Sequence, residues 1–158
     1  MELDVEIRKM TFRDIRSILD IERNSFPEPW SPYHFYFEVS NPSVSRAYVA
    51  VHKMIVVGYV IAWFVEHEVH ICNLAVHKAY RRMGIGNQLL EFILKRGREE
   101  GSTRATLEVR SKNMEAQALY KKHGFYQVGT RKGYYMKGDK DALIFQKDLH
   151  PARESKYF

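Results

Sequence analysis

The passage that most limits what this chain can fold into runs from Val69 to Phe125. An apolar strand pattern, "VHICNLAV", leads into "HKAYRRMGIG" and at once into the helical pattern "NQLLEFILKRG". A second strand, "ATLEVR", and a second helix, "NMEAQALYKKHG", follow directly. Such alternation requires helices packed on a sheet and places the chain in the α/β or α+β class.

The flanks extend the same plan. "VEIRKM" alternates as a first strand, and Thr11 with Asp14 resembles a capping box. The helix it opens has Phe12, Ile15, Ile18 and Leu19 as its apolar face. It must fail by "FPEPWSP", where three prolines remove backbone donors. Ser31 before Pro32 predicts a short second helix through "YHFYFEVS". "AYVAVHK" and "VVGYVIAWFVEHE" read as a hairpin ahead of "VHICNLAV", and "FYQVGTR" and "DALIFQKDL" as closing strands. The expected order is β-α-α-β-β-β-α-β-α-β-β, a mixed sheet of about seven strands flanked by about four helices. One domain over 1–150 with a polar tail at 151–158 accounts for all 158 residues.

No apolar run approaches the roughly 20 residues of a membrane span, and the N-terminus lacks the layout of a secretion signal. The expectation is a cytoplasmic protein with no membrane partner. A lone cysteine, Cys72, excludes an intramolecular disulfide and a cysteine-rich zinc site, and its apolar strand context suits a small core residue. The net charge of +6 is uneven. Residues 1–79 hold 8 Lys and Arg against 10 Asp and Glu, whereas residues 80–158 hold 17 against 9. A basic half suits nucleic acid, an anionic surface or a phosphorylated small molecule.

The turn at Gly84 and Gly86 narrows that choice. A helix start leaves backbone N–H groups unpaired and carries partial positive charge. Two glycines remove side chains that would hold an anion away, and Arg81 and Arg82 add charge beside it. The turn is thus either an anion cradle suited to a diphosphate or a strand-to-helix joint with arginines in solvent. It lacks the Gly-Lys-Ser/Thr ending of a nucleotide loop, and Leu89 stands where a dinucleotide fingerprint needs its third glycine.

"ICNLAVHKAYRRMGIGNQLL" resembles the acetyl-CoA-binding motif of the GNAT acetyltransferase superfamily, whose core reads Arg/Gln-x-x-Gly-x-Gly/Ala. "LEVRSKNMEAQALYKKHGF" and "KGYYMKGDKDALIFQKDL" continue the likeness, which spans Val5 to Leu149. Within the superfamily the chain is similar to RimI-type ribosomal-protein alanine acetyltransferases and to N-terminal acetyltransferase catalytic subunits. The resemblance implies acetyl-CoA as cosubstrate and no metal. It places the coenzyme's pyrophosphate on the loop Arg81, Arg82, Met83, Gly84, Ile85, Gly86 and Asn87. Its pantetheine arm would lie along Leu74, Ala75 and Val76, with Asn113 and Tyr120 as further contacts.

Acetylating an amine requires a neutral amine, donors for an oxyanion and a proton for the departing thiolate. Glu108 is the candidate base. Period-two alternation puts it on the face opposite Leu107 and Val109, where a solvated or arginine-paired glutamate is the other reading. It would work best with desolvation raising its pKa, or through a water. Tyr120 is the candidate acid by the resemblance, and a core tyrosine otherwise. His70 is a second candidate for proton handling, against a surface strand histidine. The acceptor expected is a protein or peptide N-terminus, walled by Phe26, Glu28, Trp30, Tyr33, Tyr134 and Tyr135. Glu28 would attract the ammonium or select the first residue; "FPEPWSP" is longer than the RimI-type turn and closer to the Pro-Glu-Asn turn of N-terminal acetyltransferases. Ribosome association and an auxiliary subunit are further partners this kinship allows. A lysine side chain or small amine is the alternative acceptor, and an RNA- or ribosome-binding module the alternative class. The basic residues come as separated pairs rather than a continuous stripe, which favours the enzyme.

Overall fold

Alternating apolar residues build seven strands into one sheet, in the order β1-β2-β3-β4-β5-β7-β6. They are β1 (Glu6–Lys9), β2 (Ser45–His52), β3 (Ile55–Val65), β4 (Glu68–Val76), β5 (Arg104–Arg110), β6 (Tyr126–Arg131) and β7 (Ala142–Asp148). The helices are α1 (Ile15–Ser25), α2 (Pro32–Ser40), α3 (Ile85–Glu99) and α4 (Met114–Lys122). The computed structural model describes residues 2–138 and 140–150, so the tail expected at 151–158 lies outside the described residues. The element order is the one read from the sequence.

Each sheet face has its own core. Tyr48, Ala50, Val60 and Ala62 point toward Ile85, Leu89, Leu90 and Ile93 of α3, and Tyr120 of α4 joins this cluster. Val49, Tyr59 and Ile61 point the other way, toward Ile15, Ile18 and Ile21 of α1 and Phe35 of α2. Phe12 departs from the expected apolar face: it lies in a 3₁₀ turn ahead of α1, is 53% exposed, and packs on Tyr36. The Thr11 N–H does donate to the Asp14 carboxylate, at 2.8 Å, but the cap opens that turn rather than α1 itself.

Two hairpins order the middle of the sheet. Lys53 and Met54 join β2 to β3, and Glu66 and His67 join β3 to β4, all four with positive φ. Two-residue turns of this hand match the twist of the strands, although Asn-Gly is their usual sequence. The strand expected to run through "VEHE" therefore breaks after Val65.

A β-bulge in β4 then positions the site. Ile61 of β3 lies opposite Asn73 and Ala62 opposite Ile71, which leaves Cys72 as the extra residue. The bulge inverts the alternation. Val69 and Ile71 face α3 before it, Leu74 and Val76 pack on that core after it, and Ala75 turns toward α1. β4 and β5 are the parallel pair of the sheet, and their register covers Glu68↔Arg104 to Ile71↔Leu107 and no further. Beyond Ile71 the two strands part.

Candidate active site

The parting of β4 and β5 opens a wedge between Cys72–Val76 and Glu108–Arg110, with α4 lining it. Two grooves meet there and share Phe26, Leu74, Asn113 and Ala116 in their walls. One runs toward the start of α3, the other toward the α1–α2 loop.

The groove at α3 encloses about 290 Å³. Leu74, Ala75, Val76, Arg81, Arg82, Gly84, Ile85, Gly86, Asn87 and Asn113, which the resemblance assigned to the coenzyme, all line it. Gly84 caps α3 with φ +80°, a left-handed conformation that favours glycine. Gly86 has no such backbone demand: an added Cβ would meet Leu119 at 3.4 Å and Val76 at 3.9 Å, ordinary contacts with two residues of the groove wall. The N–H groups of the first turn point out of the helix end and make a seat for an anion. Arg81 is held across the groove wall, donating from Nε to the Val76 carbonyl at 3.1 Å and from Nη2 to Ser25 Oγ at 3.1 Å. Arg82 is exposed, in a left-handed conformation of its own. Asn113 caps α4, its Oδ1 accepting from Ala116 N at 3.1 Å, and Asn87 meets His123 at 2.8 Å. Met83 is not in the wall; its carbonyl accepts the Leu3 N–H at 2.8 Å.

The second groove holds the candidate proton-handling residues. Glu108 and His70 lie on neighbouring strands just where pairing ends, Glu108 Oε2 being 2.6 Å from His70 Nε2. Burial would raise the Glu108 carboxyl, but the His70 hydrogen bond and charge, with the more distant Arg131, hold it below its ordinary value. Of the two ways in which the sequence had this base working best, a pKa raised by desolvation is thus not the one found, and action through a water is the other. Conversely, the bond to Glu108 raises the His70 imidazole against the opposing effect of burial. Tyr120 lines the same groove, its ring edge-on to Phe125, and burial pushes its phenol well up, so the proton is firmly held. Cys72 is pushed up to about 12 by burial and the nearby Glu38 and Glu108 charges, which leaves it a thiol.

The acceptor residues are brought together unevenly. Phe26, Glu28, Trp30 and Tyr135 line the groove. Glu28 is not free to meet an ammonium: Arg110 Nη2 lies 3.4 Å from it and Met136 N donates to it at 3.1 Å. Arg110 in turn stacks on Tyr135, 3.9 Å from the ring centroid. Tyr134 lies beside Tyr135 rather than in the wall, with its ring under Arg131. Tyr33 is 85% exposed on α2 and outside the groove, because the first turn of α2 points it away from the sheet.

Sequence reasoning passed over Glu22, Tyr59 and Asn73, which are hydrogen-bonded together, Glu22 and half-buried Asn73 in the groove wall and Tyr59 in the core. One signal was present. Glu22 falls seven residues after Ile15, in register with the buried face of α1, where an acid needs a reason.

The model of the Acetyltransferase (GNAT) family matches residues 15–125. A Bacillus subtilis protein provisionally named [ribosomal protein bS18]-alanine N-acetyltransferase is 34% identical, over 91% of this chain and 95% of its own. An N-alpha-acetyltransferase of Sulfolobus acidocaldarius is also 34% identical, over 94% and 95%. The crystal structure of the ribosomal-protein-S18-alanine N-acetyltransferase from Escherichia coli superposes with a TM-score of 0.85 at 28% identity, covering 98% of this chain and all of that one.

Proposed function

Because this chain belongs to the acetyltransferase (GNAT) family, we propose that it moves an acetyl group from acetyl-CoA to the N-terminal α-amine of protein chains, ribosomal proteins among them. The observation that carries the reading is the adjacency of an anion seat at α3 and a Glu108–His70 pair across one wedge. Relatives named for the same acetylation, matched over nine-tenths of the chain, support it.

When bound, acetyl-CoA supplies an activated acyl carbon. The first turn of α3 and Arg82 hold its phosphates, and Gly86 leaves the path open. The edge of β4 from Cys72 to Val76, released from β5, offers peptide groups to the pantetheine arm and the acyl oxygen. Glu108 and His70 take the proton from the acceptor amine as a unit, and Tyr120, which keeps its proton, is placed to give it to the leaving sulfur. Tyr135 and Trp30 flank the acceptor's first residues.

Thiol release from acetyl-CoA tests this with peptides that begin Ala, Ser or Met, each beside a copy with a blocked N-terminus. Release should require the free α-amine and fall about 10²- to 10⁴-fold in Glu108→Gln. Equal release from blocked, lysine-bearing peptides would move the acceptor to side chains and refute the proposal.

A further inference from the structure

Among the ionisable groups that line the acceptor-side groove and take no part in the chemistry above, one acid is buried. Glu22, on α1, is 1% exposed and stands in the groove wall. Its Oε1 accepts from the Tyr59 phenol and, at 2.7 Å, from the Asn73 amide. Its Oε2 accepts from the Trp30 backbone N–H at 2.8 Å. Tyr59 itself accepts from Asn73 at 3.3 Å, so its proton is turned to Glu22. Burial, and then the Glu22 charge, pushes the Tyr59 phenol well up, which keeps it a donor. Three donors and no acceptor around the carboxyl is the arrangement an ionised carboxylate needs.

Of the other two carboxylates of this groove, Glu28 is matched by Arg110 at 3.4 Å, and Glu108 shares its contact with His70 at 2.6 Å, a cation when the imidazole is protonated. Glu22 forms no ion pair among the described residues. Hydrogen bonds offset part of the cost of burying such a charge, and a cation entering the groove recovers more of it. In a medium of low dielectric that attraction does not need direct contact.

We propose that Glu22 makes the acceptor groove selective for a cationic amine, its buried and unmatched carboxylate drawing the acceptor in as an ammonium before the Glu108–His70 pair takes a proton. The proposal rests on the α-amine reading of the function. It also assigns Glu22 the part that the sequence offered to Glu28, whose charge Arg110 has already taken.

The test is peptide affinity in the presence of CoA, so that no turnover occurs. One peptide is used with a free N-terminus and with an acetylated one. The wild type should bind the free amine roughly tenfold more tightly. In Glu22→Gln that ratio should fall to near one while the KM for acetyl-CoA stays within about twofold. Tyr59→Phe, which removes a hydrogen bond but keeps the charge, should retain the ratio. If Glu22→Gln does not fold, the paired change Glu22→Leu with Tyr59→Phe removes both polar partners together and is read in the same way. A ratio that survives neutralisation of Glu22, in an enzyme that still acetylates free-amine peptides, overturns this inference alone. Wild-type protein that binds neither peptide overturns the α-amine reading and this inference with it.

Discussion

The 2.6 Å contact between His70 and Glu108 makes the proton affinity of each residue a property of the other. Glutamate buried alone would rise, yet here it is held down because the histidine beside it is held up. The pair is therefore an imidazolium and a carboxylate at mildly acidic pH, and on the proposed mechanism it serves as base once the imidazole has lost its proton. A raised histidine loses it above the ordinary 6.5, so the acid limb of activity should have its inflection above that value. NMR titration of the His70 ring checks the cause. Its midpoint should lie above 6.5 in the wild type and fall in Glu108→Gln, where burial is left as the largest influence and acts downward. An unchanged midpoint in the variant would mean that Glu108 does not set it.

At the scale of elements, the loop from Arg81 to Gly86 solves two problems with two glycines that are not interchangeable. Gly84 answers a backbone demand, because its φ of +80° ends the loop and starts α3. Gly84→Ala should cost about 1 kcal/mol, a fall of about 2–4 °C in Tm, with the clash against the Glu2 side chain relieved by that chain's end moving. Gly86 answers no backbone demand. The space beside it lies by Val76 and Leu119 of the groove wall, so the fold accepts a side chain there, whereas a coenzyme bound as proposed would not. Gly86→Leu should raise the KM for acetyl-CoA at least about tenfold while Tm changes little, since phosphate contacts made by a helix end depend on close approach. Equal losses of stability and affinity in both variants would show that the glycines serve the turn alone.

At the scale of the whole molecule, what the sequence displayed was local and what it hid was relational. Period-two alternation was enough to set Glu108 opposite Leu107 and Val109, and helix periodicity with the Gly84 and Pro32 signals placed α3 and α2. The wedge was not legible, because it needs β5 to pair with β4 as far as Ile71 and no further. That stop follows from the Cys72 bulge, which turns Asn73 toward Glu22 and Tyr59 of other elements. Nor could spacing show that Arg110 claims Glu28, or that Tyr33 points away from the sheet. The site is thus a property of the assembled sheet, and occupying it should stabilise the fold as one unit. CoA at about a hundred times its dissociation constant should add about 2.7 kcal/mol, a rise of roughly 5–10 °C in Tm for a domain of this size. The rise should fall to about half or less at the same CoA concentration in Gly86→Leu, because binding about tenfold weaker leaves about 1.4 kcal/mol. A full rise in that variant would mean that the coenzyme binds elsewhere than at the start of α3, and the wedge would lose its claim to be the site.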